Sequence, residues 1–135
     1  MRAMIAQAKG TMQYTSWEEK TYSRVDGGPK LTNSAIVRKV GGDIEGVGTL
    51  DYVMIYLDDQ NTRFLGYEQI VGTLGERTGS FVLQHDGVLE NGVAKVALSV
   101  VPGSGTGGFR GMRGSGTFVA PDANTSSFTL DYSFD

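Results

Sequence analysis

His85 is the only histidine in the chain, and it stands in the run Gly79-Ser80-Phe81-Val82-Leu83-Gln84-His85-Asp86-Gly87. Imidazole is the side chain that titrates near neutrality. In an extended segment successive side chains alternate between faces, so Phe81, Leu83 and His85 point the same way. The same alternation in Phe64-Leu65-Gly66-Tyr67-Glu68-Gln69-Ile70 groups Glu68 with Phe64 and Ile70 and turns it inward. A carboxylate buried alone is costly, so it needs a cation or good donors. Arg38 supplies them: it shares parity with Ile36 and Val40, while Val37 and Lys39 face the other way. An Arg38–Glu68 pair beside His85 could perform acid–base chemistry or orient the polar part of a ligand. The plainer and commoner reading is a hydrogen-bonded core histidine next to an ion pair that sets strand register.

Tyr52, Met54 and Tyr56 alternate with Val53, Ile55 and Leu57, so this segment is apolar on both faces. One face lines the interior, and Tyr52 and Tyr56 are expected on the wall of a binding cavity. The other face needs a cover, because contiguous exposed apolar surface marks a contact. Self-association supplies one, and a two-fold homodimer is the simplest form. Trp17, the single tryptophan, precedes Glu18-Glu19-Lys20. It reads as a core plug or an end cap, with a pocket floor or a subunit contact as the other roles open to it.

Other chemistries find little support. The chain has no cysteine, which removes disulfides, thiolate catalysis and cysteine-held zinc. One histidine and no calcium-loop spacing leave no metal site, and no cofactor is expected. Gly103-Ser104-Gly105-Thr106-Gly107-Gly108 contains G-x-G-x-x-G, but a dinucleotide site requires a helix next. The following Phe109-Arg110-Gly111-Met112-Arg113-Gly114-Ser115-Gly116 is too glycine-rich for one. The stretch is expected to connect strands, with a small anion held by its amides and Arg113 as the lesser alternative. Neither Ser80 nor Ser104 lies in a Gly-x-Ser-x-Gly elbow.

The elements that must position these residues are strands. The chain has 135 residues, 39% of them apolar, with 20 glycines against 3 prolines. That length suits one domain. Turn chemistry separates eight extended segments: Gly10 to Lys20, Leu31 to Val40, Val47 to Leu57, Arg63 to Leu74, Ser80 to Leu89, Val93 to Val101, Phe109 to Val119 and Ser127 to Phe134. Asn91-Gly92 predicts a type I′ hairpin, since both residues tolerate positive φ. No window carries a helical stripe. Short connections favour antiparallel neighbours, and eight strands leave two exposed edges unless the sheet closes. A closed antiparallel eight-stranded β-barrel is therefore expected over residues 10–135, with a β-sandwich as runner-up. Residues 1–9 are expected to be a flexible segment or a lead-in to the first strand.

Net charge is −3 and no Lys/Arg run exists, which argues against nucleic-acid binding. No apolar stretch approaches a membrane span, and residues 1–9 are too interrupted for a signal segment. A cytoplasmic, soluble protein is expected. Asn124-Thr125-Ser126 matches a glycosylation acceptor but is read as a chance match without an export signal.

Five motifs together are more specific: Trp17-Glu18-Glu19, Gly42-Asp43-Ile44-Glu45-Gly46, Gly79 through His85, Val101-Pro102-Gly103-Ser104-Gly105-Thr106-Gly107 and Leu130-Asp131-Tyr132. From about Gly10 to Phe134 the chain resembles a bacterial family with no assigned function. That family in turn is similar to small antiparallel barrels of the allene-oxide-cyclase type. The resemblance implies a barrel rather than a sandwich. The plant cyclase of this fold converts a fatty-acid epoxide to a cyclopentenone in its cavity, but no cyclase motif is found here and no catalytic residue carries over. Leu98 stands where the family pattern has an aromatic residue.

The expectation is a barrel that binds a small, partly apolar molecule, with Arg38, Tyr52, Tyr56, Glu68 and His85 as ligand-binding residues. An isomerase or cyclase using the interior His/Glu pair is the enzymatic alternative. A structural or interaction protein with a filled interior is the third.

Overall fold

The computed structural model describes residues 4–122 and 126–135. Asn124 and Thr125 of the glycosylation-like triplet lie outside them, as do residues 1–3. The described residues form nine strands: β1 (Ala6–Arg24), β2 (Lys30–Gly42), β3 (Ile44–Tyr56), β4 (Asn61–Leu74), β5 (Arg77–Glu90), β6 (Val93–Val100), β7 (Thr106–Gly107), β8 (Met112–Ala120) and β9 (Ser127–Phe134). No helix among them is long and apolar enough to cross a membrane.

All nine strands belong to one antiparallel sheet, and eight of them follow in the order β4-β3-β2-β1-β9-β8-β6-β5. β5 then pairs back with β4 from Asn61↔Glu90 to Leu74↔Arg77, so the eight strands make a ring. One continuous sheet replaces the two separate sheets of a sandwich. Closure satisfies the backbone groups that an open edge would leave to solvent. β1 is the exception. β9 pairs with it only from Ala6 to Thr11, and beyond that β1 runs on beside β2 alone.

The sequence-based segments match these strands with three differences. β1 begins at Ala6, so residues 6–9 are paired strand at the start of β1, the lead-in of the two alternatives rather than a flexible segment. The seventh expected segment begins later, at Met112, and Phe109 before it turns inward to full burial. The glycine-rich stretch carries the short strand β7, which pairs with Gly79 and Ser80 of β5. Its hydroxyls serve that connection: Ser104 accepts from the Val82 amide at 3.0 Å and Thr106 from the Ser80 amide at 3.1 Å. Arg113, the candidate anion ligand, is instead paired with Asp135 at 2.8 Å on the surface.

The β5–β6 hairpin forms as expected. Asn91 has φ 52° and Gly92 φ 81°, the left-handed values that a type I′ turn requires of both central residues.

The ring interior holds the apolar core, and alternation orders it into levels. Along β5 the inward residues run Leu89, Gly87, His85, Leu83, Phe81; along β3, Met54, Tyr52, Leu50, Gly48; along β4, Phe64, Gly66, Glu68, Ile70. One end of this interior is packed shut by Ile44, Ile70, Leu74, Phe81, Phe109 and Met112, all buried. The Phe81 and Phe109 ring centroids are 5.0 Å apart there. At the other end, beside the β5–β6 hairpin, the described residues leave the interior open.

Candidate functional site

Arg38, Glu68 and His85 lie at the middle level, at 1%, 0% and 0% exposure. They come from β2, β4 and β5, and Arg38 reaches Glu68 across β3. Its register partner on β3 is Gly48. A Cβ at Gly48 would collide with the Glu68 carboxylate, so the missing side chain makes the room in which the pair forms. Arg38 donates through Nε to Glu68 Oε2 at 2.9 Å and through Nη2 to Oε1 at 2.5 Å. This is the bidentate fork that suits guanidinium to carboxylate.

His85 extends the chain of contacts. Its Nε2 lies 3.0 Å from Glu68 Oε1, and its Nδ1 lies 2.9 Å from the Tyr52 hydroxyl. Burial alone would raise the pKa of Glu68, but the hydrogen bond from His85 and the charge of Arg38 outweigh it and hold the group at about 2. Glu68 is thus an acceptor, and Nε2 carries the proton that it accepts. Nδ1 then accepts from the Tyr52 O–H. Burial pushes the His85 pKa down, and the pull of Glu68 only partly opposes it, so the ring is neutral at pH 7. Burial likewise raises the pKa of Tyr52 and keeps it protonated. The quartet carries one positive and one negative charge and is neutral as a whole.

Of the four, Tyr52 faces a cavity of about 630 Å³ at the open end. Met12, Met54, Phe64 and Phe118 form much of its apolar wall, and Tyr14 and Trp17 stand at its rim. Drug-sized ligands occupy pockets of roughly 300–1,000 Å³ with few polar groups. The rim depends on a bulge. The β1–β2 register shifts between Tyr14 and Ser16, so inward parity passes from Met12 and Tyr14 to Trp17. The Tyr14 and Trp17 rings meet edge-on, with centroids 4.9 Å apart.

Tyr56 is placed differently from expectation. It does not line the cavity and is not joined to Arg38, Glu68 or His85. It is half-buried, and its hydroxyl donates to Glu19. Glu19 also accepts from Thr32 Oγ1 at 2.8 Å and from the Trp17 indole at 3.1 Å. Tyr56 shares inward parity with Tyr52, but β3 carries it two residues further toward the open end, past the quartet. Glu19 and Thr32 make a second polar cluster that parity along single segments does not reveal. The one available hint is a tryptophan two residues before an acid. Leu98, the departure from the family pattern, is buried as the β6 register partner of His85.

Residues 8–132 match a family described as a protein of unknown function, DUF3224. The chain belongs to the DUF3224 family. It is also similar to a solved structure, a DUF3224 protein of unknown function from Shewanella oneidensis MR-1. The two are 24% identical over 98% of this chain and 99% of that one, with a TM-score of 0.83. That likeness concerns the fold. No curated protein matches the chain. For this DUF3224 protein, chemistry must therefore be argued from the quartet and the cavity themselves.

Proposed function

We propose that this DUF3224 protein binds a small, partly apolar molecule in the cavity at the open end of the ring. We read that ring as a closed barrel of the allene-oxide-cyclase kind, in which a cavity at one mouth is the natural ligand site. One observation carries the reading: an apolar chamber of about 630 Å³ ends on Tyr52, whose hydroxyl is tied through His85 to a buried Arg38–Glu68 pair. Tyr52 touches the ligand, and Arg38, Glu68 and His85 stand behind it as the polar anchor. A filled interior would not leave such a chamber. N-phenyl-1-naphthylamine, an uncharged dye that brightens in apolar surroundings, tests this. It should bind one per chain, and Ala94→Trp, at the cavity wall, should abolish the signal. No binding, or equal binding to the variant, overturns the reading.

The enzymatic alternative draws on the same chain of hydrogen bonds. Tyr52–His85–Glu68 links the cavity to an acid–base pair, which is the arrangement an isomerase or cyclase would use to move a proton.

We further propose a two-fold homodimer through the outer face of β3 and β4. Val53, Leu65 and Tyr67 are 46%, 57% and 59% exposed there. Asp51 and Arg63 sit at diagonal corners of the patch, because Asp51 is opposite Tyr67 and Arg63 is opposite Ile55. A second copy can thus set unlike charges against each other around an apolar centre.

A further inference from the structure

The mouth of the chamber is aromatic, and the reason lies in β1. β9 pairs with β1 only as far as Thr11, so among the described residues no neighbouring strand on that side covers what β1 carries beyond it. Tyr14 and Trp17 line the chamber there and are still 46% and 39% exposed. Two large rings left partly in water beside an apolar cavity forgo much of the burial energy that such rings ordinarily gain. Their faces carry the negative part of the ring quadrupole, which attracts a cation.

The charges at the mouth point the same way. The Trp17 indole donates to Glu19 at 3.1 Å, and Thr32 and Tyr56 donate to the same carboxylate. Burial would raise the Glu19 pKa, but these donors outweigh it and hold the group below its ordinary value, so it is ionised at pH 7. A carboxylate that accepts the indole N–H polarises the ring and strengthens the pull of its face on a cation. Asp122 is the one carboxylate among the lining residues, and no described lysine, arginine or histidine lines the chamber. Arg38 stands behind Phe118, and Glu68 cancels its charge. The protein already makes a contact of this kind at Tyr56, where Lys30 Nζ lies 4.4 Å from the ring centroid. An anion at the mouth would instead meet Glu19 and Asp122.

The walls set the orientation. Met12, Met54, Phe64 and Phe118 offer apolar surface and no charged partner. A charged head therefore stays at the mouth, where water still reaches it and desolvation costs little.

We propose that the chamber takes an amphipathic organic cation, with its apolar body between Met12, Met54, Phe64 and Phe118 and its alkylammonium head at the mouth against the Trp17 and Tyr14 rings. The inference rests on the cavity being a binding site, and it adds the charge class of the molecule and the way round that it lies.

Hexanoylcholine, its uncharged isostere 3,3-dimethylbutyl hexanoate and the anionic 2-(hexanoyloxy)ethanesulfonate form a matched probe series, read by displacement of N-phenyl-1-naphthylamine. Hexanoylcholine should bind about fivefold more tightly than the isostere, the scale of a partly exposed cation–π contact, and the sulfonate should bind most weakly. Trp17→Leu should remove most of the difference between cation and isostere. In NMR spectra of the native chain, the N-methyl protons of hexanoylcholine should move upfield and show NOEs to the Trp17 indole. Equal or tighter binding of the isostere, tightest binding of the sulfonate, an undiminished preference in Trp17→Leu, or N-methyl NOEs to Met54 and Phe64 in place of Trp17 each overturn the proposal while leaving the cavity reading standing. A dye that binds but is displaced by none of the three does the same. If the dye itself does not bind, the cavity reading fails and this inference falls with it. If the variant does not fold, the NOEs in the native chain decide alone.

Discussion

The two ends of the ring are built from the same alternating strands and come out differently. At the closed end, Phe109 swings in from the glycine-rich connection, meets Phe81, and packs the interior with Ile44, Ile70 and Leu74. At the open end, β9 stops pairing with β1 at Thr11, and a bulge at Tyr14 and Ser16 redirects the β1 side chains. No described residue there takes the role of Phe109, and about 630 Å³ stays empty. The Arg38–Glu68–His85–Tyr52 quartet lies between the two. A packed plug lies on one side of it, and an apolar chamber that reaches Tyr52 lies on the other. The lesson is that a strand ring becomes a container through what its connections place at each mouth, more than through the strands themselves.

The sharpest way to break this comparison is to remove side chains at both ends. Phe109→Ala opens a void in close-packed core and should cost about 3–5 kcal/mol. Met12→Ala, on the wall of an existing cavity, loses mainly its transfer energy. It should fall at the low end of the usual range, about 2 kcal/mol. Urea unfolding of the two variants measures the gap. Equal costs would mean that the open end is as tightly packed as the closed one.

Acid tests the layer between the ends. The unfolded chain protonates Glu68 near its ordinary value of 4.5, whereas the folded protein does so only near 2. His85 also has a folded pKa below its ordinary 6.5. In both windows the unfolded state binds more protons, so stability falls as pH falls. The loss should begin below about 6.5 through His85 and steepen below about 4.5 through Glu68. His85→Gln should remove the first part and keep the second, which thermal melts between pH 7 and pH 3 would show. A melting temperature flat from pH 7 to pH 5 in the native chain counts against a neutral, buried His85.

The smallest effect is expected on the outer wall. Leu65→Lys should change stability by no more than about 0.5 kcal/mol and leave both ends of the interior as they are. Light scattering should nonetheless report a fall from dimer to monomer mass. An unchanged mass would place the oligomer contact, where one exists, somewhere other than β3 and β4.

Much of the site is legible in the amino-acid order. Alternation turns Arg38, Tyr52, Glu68 and His85 inward, and all four are buried. The eight segments, the Asn91-Gly92 hairpin and the glycine-rich connection are legible for the same reason. Strand pleat and turn preference are local, set by a few neighbouring residues. Tyr56 shows where that reasoning ends. Its parity is right, but it passes the quartet and bonds Glu19, because distance along the ring axis depends on register between strands rather than on alternation within one.

The amino-acid sequence by itself determined which side chains look into the ring and that a buried acid would need a cation, since both follow from backbone geometry and the cost of burying charge. Tertiary structure alone decided that β5 closes on β4, that Gly48 leaves the space in which Arg38 meets Glu68, and that Phe109 fills one mouth while no other described residue fills the second. Those outcomes join residues far apart in the chain. They are settled by pairing register and packing, which no short window of sequence contains.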